Sequence, residues 1–368
     1  MTKQNLKQLA LIAIAALGLM FSACNIFSNN TASINPLTDK SKHIYHPQNR
    51  DELVRLLKDE FIKLGTIDTS KITDMSFLFA NILSNKCDNL GEGLESYIQN
   101  CKNSASARKD FSGIETWDTS KVENMCYMFA KAESFNQSLD KWNVGRVTSM
   151  QSMFYYAESF NQPLDSWNTA NVTNMLQMFY KAKSFNQPLN SWNVSKVTDM
   201  NNMFAGAESF NQPLDKWNVG NVKNMSEMFY EAYSFNQALN RWNVSNVKDM
   251  SHMFFWAGSF NQSLESWDVS NVADMGEMFS FAASFNQPLD KWNVANVTNM
   301  INMFTSARSF NQPLDSWDVS NVADMSCMFC FAESFNQNLD SWKVSENTNT
   351  SDMFSDSPLE SNPPKWYK

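Results

Sequence analysis

Residues 160–184 read FNQPLDSWNTANVTNMLQMFYKAKS, and the same pattern returns every 25 residues. Nine Phe-Asn-Gln triplets, from Phe135 to Phe335, follow one another without a change of register, and columns of Trp and Met-Phe run in parallel with them. A fixed period of this length is typical of repeat proteins, in which each unit buries its apolar face against its neighbours. The sequence therefore predicts a stack of similar units rather than two or three ordinary domains.

Periodicity within one unit predicts two elements. Residues 164–169 alternate as a short extended segment, in which Trp167 and Thr169 face the same way. Beyond Asn174 the apolar residues take the spacing of one helix face: Met175, Met178, Phe179 and Ala182. The predicted fold is an α/β repeat, a solenoid of 25-residue coils that each contain a short parallel strand plus a short helix.

The residue that opens the predicted helix is Asn, Asp or Ser in the main copies. These types cap helices because their side chains accept hydrogen bonds from the first free amides. The column comprises Ser149, Asn174, Asp199, Asn224, Asp249, Asp274, Asn299 and Asp324. Glu227 and Glu277 add the third-position acid of a capping box. The Asn of each Phe-Asn-Gln triplet is expected to form a hydrogen-bonded ladder between coils.

The motif Phe-Asn-Gln-Pro-Leu-Asp-x-Trp-Asn-Val-x-Asn-Val-x-x-Met-x-x-Met-Phe resembles the Mycoplasma-type repeat of the BspA-like leucine-rich-repeat surface proteins. The resemblance covers residues 67–354 and implies a leucine-rich-repeat-like solenoid. Such proteins are common among lipoproteins of mycoplasmas and host-associated bacteria, and members are associated with adhesion to host surfaces and matrix proteins. The repeat also occurs in many proteins of unknown function, so the resemblance implies an architecture more directly than an activity.

Both ends of the repeat array carry segments that depart from the pattern. Residues 46–66 look like the N-terminal capping helix of this family, and Leu53, Leu56, Leu57 and Phe61 would cover the first coil. Residues 81–110 fill about one repeat length without its signature, which predicts an insertion that leaves the solenoid. Residues 355–368 form a predicted C-terminal cap, in which Trp366 and Tyr367 would cover the last coil.

The first residues of the chain predict export. Residues 1–23 combine two lysines with an apolar stretch of 13 residues, Leu9 to Phe21, which is too short to span a bilayer. The segment ends in Phe-Ser-Ala before Cys24, which resembles a lipoprotein lipobox with Phe in place of the usual Leu. Cys24 would carry the lipid, and residues 24–45 would be a polar tether. The alternative is an ordinary signal peptide. In a Gram-negative cell, Asn25 would favour the outer membrane.

The other five cysteines permit disulfides in an exported chain. Cys87 and Cys101 bracket a short segment and form the expected pair, although spacing does not fix the connectivity. Cys327 and Cys330 form a Cys-x-x-Cys on a predicted helix, where a redox or metal site is the alternative to a structural role. Cys126 is interpreted as a small packed residue.

Composition and pattern argue against several classes of function. A net charge of −9 opposes nucleic-acid binding, which needs a basic face. Catalysis needs a few unlike groups that converge, whereas this chain has like groups in even rows. Its rows of Asp and Asn lack a Gly-containing calcium loop, and His252 is expected to be solvated. The sequence therefore predicts no enzyme, no catalytic residue, no metal, no cofactor and no small-molecule substrate.

The residues that follow each Met-Phe pair vary between copies, and many of them are aromatic. They comprise Tyr155, Tyr156, Tyr180, Tyr230, Phe255, Trp256, Phe281 and Phe331. Exposed aromatic side chains in a row favour protein or glycan contacts, so one hypothesis is an extended aromatic binding strip. The alternative is that these rings pack against neighbouring coils.

Two classes of function fit the sequence. The first is an adhesin-like surface protein, lipid-anchored in the membrane, whose partner is a host matrix or cell-surface protein. The second is a structural or spacer protein that coats the cell without a specific ligand. Binding of matrix proteins or epithelial cells would favour the first, whereas regular self-assembly without binding would favour the second.

Overall fold

The computed structural model describes residues 40–90 and 93–368. The chain divides into two compact units, residues 1–42 and 43–368, and the first contributes only the 3₁₀ helix Lys40–Lys42 to the described part. The second unit contains two α-helices, α1 (Arg50–Leu57) and α2 (Ile98–Lys102). Five further 3₁₀ helices lie in it: Leu64–Thr66, Ser84–Asn89, Glu95–Tyr97, Ile114–Thr116 and Pro358–Glu360.

Successive repeats stack on one another as coils of 25 residues, so that each residue lies over its equivalent in the next coil. The Phe of Met-Phe shows this most plainly. Phe154, Phe179 and Phe204 are fully buried, and their neighbouring ring centroids are 5.6 Å apart with nearly parallel planes. A second Phe ladder, in which the ring centroids of Phe160 and Phe185 are 5.9 Å apart, runs beside the first. The predicted stacking of repeat units is confirmed, and the core is the interior of the stack.

The predicted helix after Asn174 and its equivalents is wrong. In the coil of residues 210–234 the Met228 amide donates to the carbonyl of Met225, three residues earlier, whereas an α-helical bond would reach the fourth residue back. The amides of Glu227 and Phe229 instead donate forward, to Ser251 and Met253 of the next coil. A helix needs each amide for its own preceding turn, so these forward bonds exclude it.

The Asn, Asp or Ser residue that was predicted to cap a helix in each repeat forms a turn instead. The Asn174 side chain accepts a hydrogen bond from the Leu176 amide two residues on, at 3.0 Å, which is an Asx turn. Equivalent bonds recur at Asp199 and Asn224. Glu227 and Glu277 are not capping-box acids, because both have left-handed backbone with φ of 56°. These short polar residues therefore start a series of turns rather than a helix.

The predicted strand is also absent, and residues 40–90 and 93–368 contain no β-strand. Residues 164–169 include a turn, closed by the Trp167 amide on the Leu164 carbonyl. In the described residues, strand-type pairing between coils is limited to isolated parallel bridges in the Asn/Asp/Ser column, such as Ser149 with Asn174. The strand-plus-helix, leucine-rich-repeat-like solenoid is thus contradicted. Turns that share their hydrogen bonds between coils replace both elements.

Two polar ladders reinforce the stack. Each repeat tryptophan from Trp167 to Trp342 donates its indole Nε1–H to a leucine carbonyl 28 residues earlier, at 2.8 to 3.0 Å. The expected Asn ladder is present: the Asn211 Oδ1 accepts from the Asn236 amide at 2.9 Å and from the Gln237 Nε2 at 3.0 Å. Both ladders satisfy polar groups that burial would otherwise leave unpaired.

The N-terminal segments close the first coil. Leu53 and Leu57 of α1 are buried in the core, whereas Phe61 is 95% exposed and covers nothing. Ser76 lies in the turns of the first coil, and its carbonyl accepts a hydrogen bond from the Arg50 guanidinium at 2.8 Å. The insertion also contacts this coil, where the Ala105 amide donates to the Leu78 carbonyl. The insertion therefore supplies hydrogen-bond donors in place of a preceding coil.

The C-terminal residues continue the ladders at the other end. Trp366 stacks on Trp342 at 6.1 Å, and its Nε1 donates to the Leu339 carbonyl at 2.8 Å. Tyr367 meets Phe354 edge to face at 5.0 Å. Trp366 and Tyr367 thus pack against the aromatic residues of the last coil.

Candidate binding face

One face of the stack varies from coil to coil, and we call it the variable face. It consists of the two residues between the methionines and the two residues after Met-Phe, for example Gln151, Ser152, Tyr155 and Tyr156. The second residue of each pair has left-handed backbone, with φ of 53° at Ser152 and 55° at Tyr156. That conformation is the one required at the third position of a type II turn.

Three of the aromatic residues expected from sequence form one group. Tyr155 stacks on Tyr180 with centroids 5.0 Å apart, and Tyr156 lies 4.7 Å from Tyr155. The ammonium groups of Lys131 and Lys181 lie 5.5 and 5.3 Å from the Tyr156 ring centroid, within cation–π range. This group is aromatic and positively charged.

Four others form a second group two coils further on. Tyr230 stacks on Phe255 at 4.7 Å, and Trp256 stacks on Phe281 at 4.4 Å. Phe255 and Phe281 meet edge to face at 5.6 Å, which joins the two pairs. Phe331 lies apart, 49% exposed, with no ring partner among the residues that the structure describes.

The aromatic rings of the variable face are both packed and partly exposed. The rings pack against neighbouring coils, yet most are only half-buried, and Trp256 is 43% exposed. The first column after Met-Phe is interrupted by Ala205, and the rings proposed as an extended strip form two groups and one isolated Phe. Stacking holds the rings of the two groups in place while most of them stay partly exposed.

A cavity of about 400 Å³ opens at this interruption. Its lining comprises Tyr180, Lys181, Glu227, Tyr230, Glu231, His252, Phe255 and Glu277. Sequence reasoning found its rings but missed its charged residues. Their position in the repeat could have indicated these charged residues, because all of them stand at the variable-face positions of their coils. His252 is not on a helix but at a left-handed turn position, and its Nε2 lies 3.5 Å from the Glu277 Oε1.

The carboxylates influence the phenols that border the cavity. Burial is the main cause that raises the pKa of Tyr180 to about 12, and neighbouring phenols and the charges of Glu227 and Glu231 add to it. Burial first, and then Glu231, Glu227 and Glu277, also raise the pKa of Tyr230. The cavity therefore combines neutral phenols with a negative field.

The cysteines lie in three environments. A disulfide joins Cys87 to Cys101, with an S–S distance of 1.99 Å, and another joins Cys327 to Cys330 at 1.92 Å. The second bridge lies on turns of the variable face, not on the helix expected there. Cys126 is a buried free thiol, and burial raises its pKa to about 12. Cys24 and the proposed signal lie outside the described residues.

Two observations concern the described part alone. No group of three or more His, Cys, Asp or Glu side chains within residues 40–90 and 93–368 is placed to hold a metal ion. In the same ranges, every helix is too short or too polar to cross a bilayer.

Stacked coils with a constant core and a variable face define a tandem-repeat protein. The family described as "Mycoplasma protein of unknown function, DUF285" matches the chain three times, over residues 94–204, 189–284 and 257–366. The chain belongs to this family. No curated protein matches it significantly.

Proposed function

We propose that this protein is an exported, lipid-anchored repeat protein of the cell surface whose variable face binds a protein on a host surface. The observation that carries the proposal is the contrast between a constant core and a variable face with half-exposed aromatic rings. A partner that binds this face buries rings whose positions are already fixed, so little entropy is lost on binding.

Two sequence features support this proposal. The repeat motif resembles that of the BspA-like surface proteins, which are associated with adhesion. The lipobox-like residues before Cys24 support export and lipidation, because a lipid chain on that cysteine would anchor the protein to the membrane. Growth with radiolabelled palmitate tests the anchor: we expect label in the wild type and none in Cys24→Ser. Equal labelling of both would contradict the anchor.

Binding is tested by replacing Tyr155, Tyr156, Trp256 and Phe281 together with Ser. Ser already occupies these columns at Ser280 and Ser306, so the variant should fold. We expect its affinity for matrix proteins or epithelial cells to fall at least about tenfold, the effect typical of losing aromatic contacts at an interface.

Phe61→Ser is the matched control, since Phe61 is 95% exposed and lies outside the variable face. Its binding should equal that of the wild type. Unchanged binding by a folded variant with all four substitutions would contradict the proposal that the variable face binds the partner. Regular self-assembly without binding would instead favour the spacer function.

A further inference from the structure

The cavity lies where a ladder of rings loses one member. The column after Met-Phe runs Tyr155, Tyr180, Ala205, Tyr230 and Phe255. The rings on either side of Ala205 belong to stacked pairs with interplanar angles of 13° and 3°. Tyr180 and Tyr230 both border the cavity and are two coils apart, about 10 Å if coils are spaced like paired strands. A flat group between them would lie within cation–π distance of both rings.

The charge around this gap is negative. Glu227, Glu231 and Glu277 line the cavity, and Glu277 is the one that faces His252. Within the described ranges, neither Glu227 nor Glu231 has an ion-pair partner or a side-chain hydrogen bond. Lys181 also lines the cavity, but within the described ranges it forms no ion pair with these carboxylates, and its ammonium lies 5.3 and 5.7 Å from the ring centroids of Tyr156 and Tyr180.

The charged groups are held by a stiff backbone. Glu227, Glu231, His252 and Glu277 all have left-handed φ between 53° and 56°. Each of their amides donates to a carbonyl of the next coil, at 2.8 to 2.9 Å. A cation that enters the cavity therefore meets rings that stacking holds in place and carboxylates attached to a fixed backbone, which lowers the entropy cost of binding.

We propose that this cavity binds the guanidinium group of an arginine side chain presented by a protein partner. Guanidinium is planar, stacks on aromatic rings and donates to carboxylates in a fork, whereas an ammonium group lacks the plane. Aromatic rings next to unpaired carboxylates match each of these properties. The inference rests on the proposed function, since it names the chemistry that the variable face recognises.

The test titrates the purified full chain with acetyl-Gly-Arg-Gly-amide by isothermal titration calorimetry. The matched ligand replaces arginine with citrulline, which keeps the planar shape and removes the charge. We expect the arginine peptide to bind at least about tenfold more tightly, and its affinity to fall as salt is added. Equal affinity for both peptides, or no binding of either, would overturn the inference.

Variants locate the binding. Glu227→Gln with Glu231→Gln should lower the affinity for the arginine peptide at least about tenfold. Gln177 has φ of 54° in the Glu227 column, so the backbone accepts glutamine there. The control is Glu123→Gln with Glu346→Gln, which removes two exposed carboxylates elsewhere and should leave binding unchanged. An equal loss in both double variants would contradict a local site.

The same variants separate this inference from the proposed function. If the wild type binds host surfaces but not the arginine peptide, the guanidinium site is wrong and the binding face remains. If the peptide binds in the cavity while no host surface is bound, the site stands and the adhesin-like function is wrong.

Discussion

At the scale of single residues, the Asn of Phe-Asn-Gln shows how a sequence column becomes a structural element. Asn211 accepts two hydrogen bonds from the next coil, and its own amide donates to the Asn186 Oδ1 of the previous coil at 3.0 Å. The sequence was sufficient to predict this ladder, because an unvaried polar residue in a stack faces copies of itself.

Asn211→Ala tests the ladder. The change leaves the Asn236 amide and the Gln237 side chain without their acceptor, so we expect unfolding free energy to fall by about 1–3 kcal/mol. Urea denaturation measures it. Asn211→Asp keeps an acceptor in place and should lose less. Equal losses would show that the hydrogen bonds contribute little.

The raised pKa of Tyr180 predicts a loss of stability in alkali. The folded state holds the neutral phenol to about pH 12, whereas an unfolded tyrosine ionises near pH 10. The stabilising contribution is therefore complete below pH 10 and disappears as pH rises towards 12. Urea midpoints between about pH 8 and 11.5 should fall less steeply for Tyr180→Phe than for the wild type. Parallel curves would contradict the prediction.

At the scale of elements, the prediction of a helix in each repeat was wrong for a physical reason. Met175, Met178, Phe179 and Ala182 are all buried, as a helix face would be. A chain of turns closed every three residues places the same positions inside, because it also returns to one side after three or four residues. Apolar spacing therefore could not separate the two. The distinction lies in the destination of the backbone amides, which only the stacked structure reveals.

Substitutions at Ser306 test whether this segment forms turns or a helix. Its φ is 56°, and its amide donates to the Cys330 carbonyl at 2.8 Å. Ser306→Gly should raise the unfolding free energy by up to about 1 kcal/mol, because glycine has no penalty for left-handed backbone, and Ser306→Val should lower it by about 1–2 kcal/mol. Thermal and urea unfolding give both values. In a helix glycine would destabilise, so a loss in Ser306→Gly would argue against the turn.

At the scale of the whole molecule, the contacts at the two ends of the repeat array were the hardest to predict from the sequence. The sequence indicated the caps, but not that Arg50 bonds to the first coil or that residues 81–110 cover it. Nor did it show the cavity, since Tyr180, Glu227 and Glu277 are far apart until the coils stack. Contacts between equivalent columns were predictable; contacts between unlike segments were not.

The disulfide in the insertion should stabilise the N-terminal end. Its cysteines are 14 residues apart, and closing a loop of this size contributes about 3 kcal/mol. Cys87→Ala with Cys101→Ala should reduce stability by about 2–4 kcal/mol and speed hydrogen exchange of the first coil. Cys327→Ala with Cys330→Ala, where the separation is 3, should cost less. Unchanged exchange in the first coil would contradict this role.

The ladders also make each coil an interchangeable unit. Every coil offers its neighbours the same bonds, so an in-frame loss of residues 201–225 would leave all ladders continuous. It would also remove Ala205, set Tyr180 beside Tyr230 and close the cavity. Recombination between repeats can therefore add or erase a binding site in one event, without a new fold and without a single point mutation.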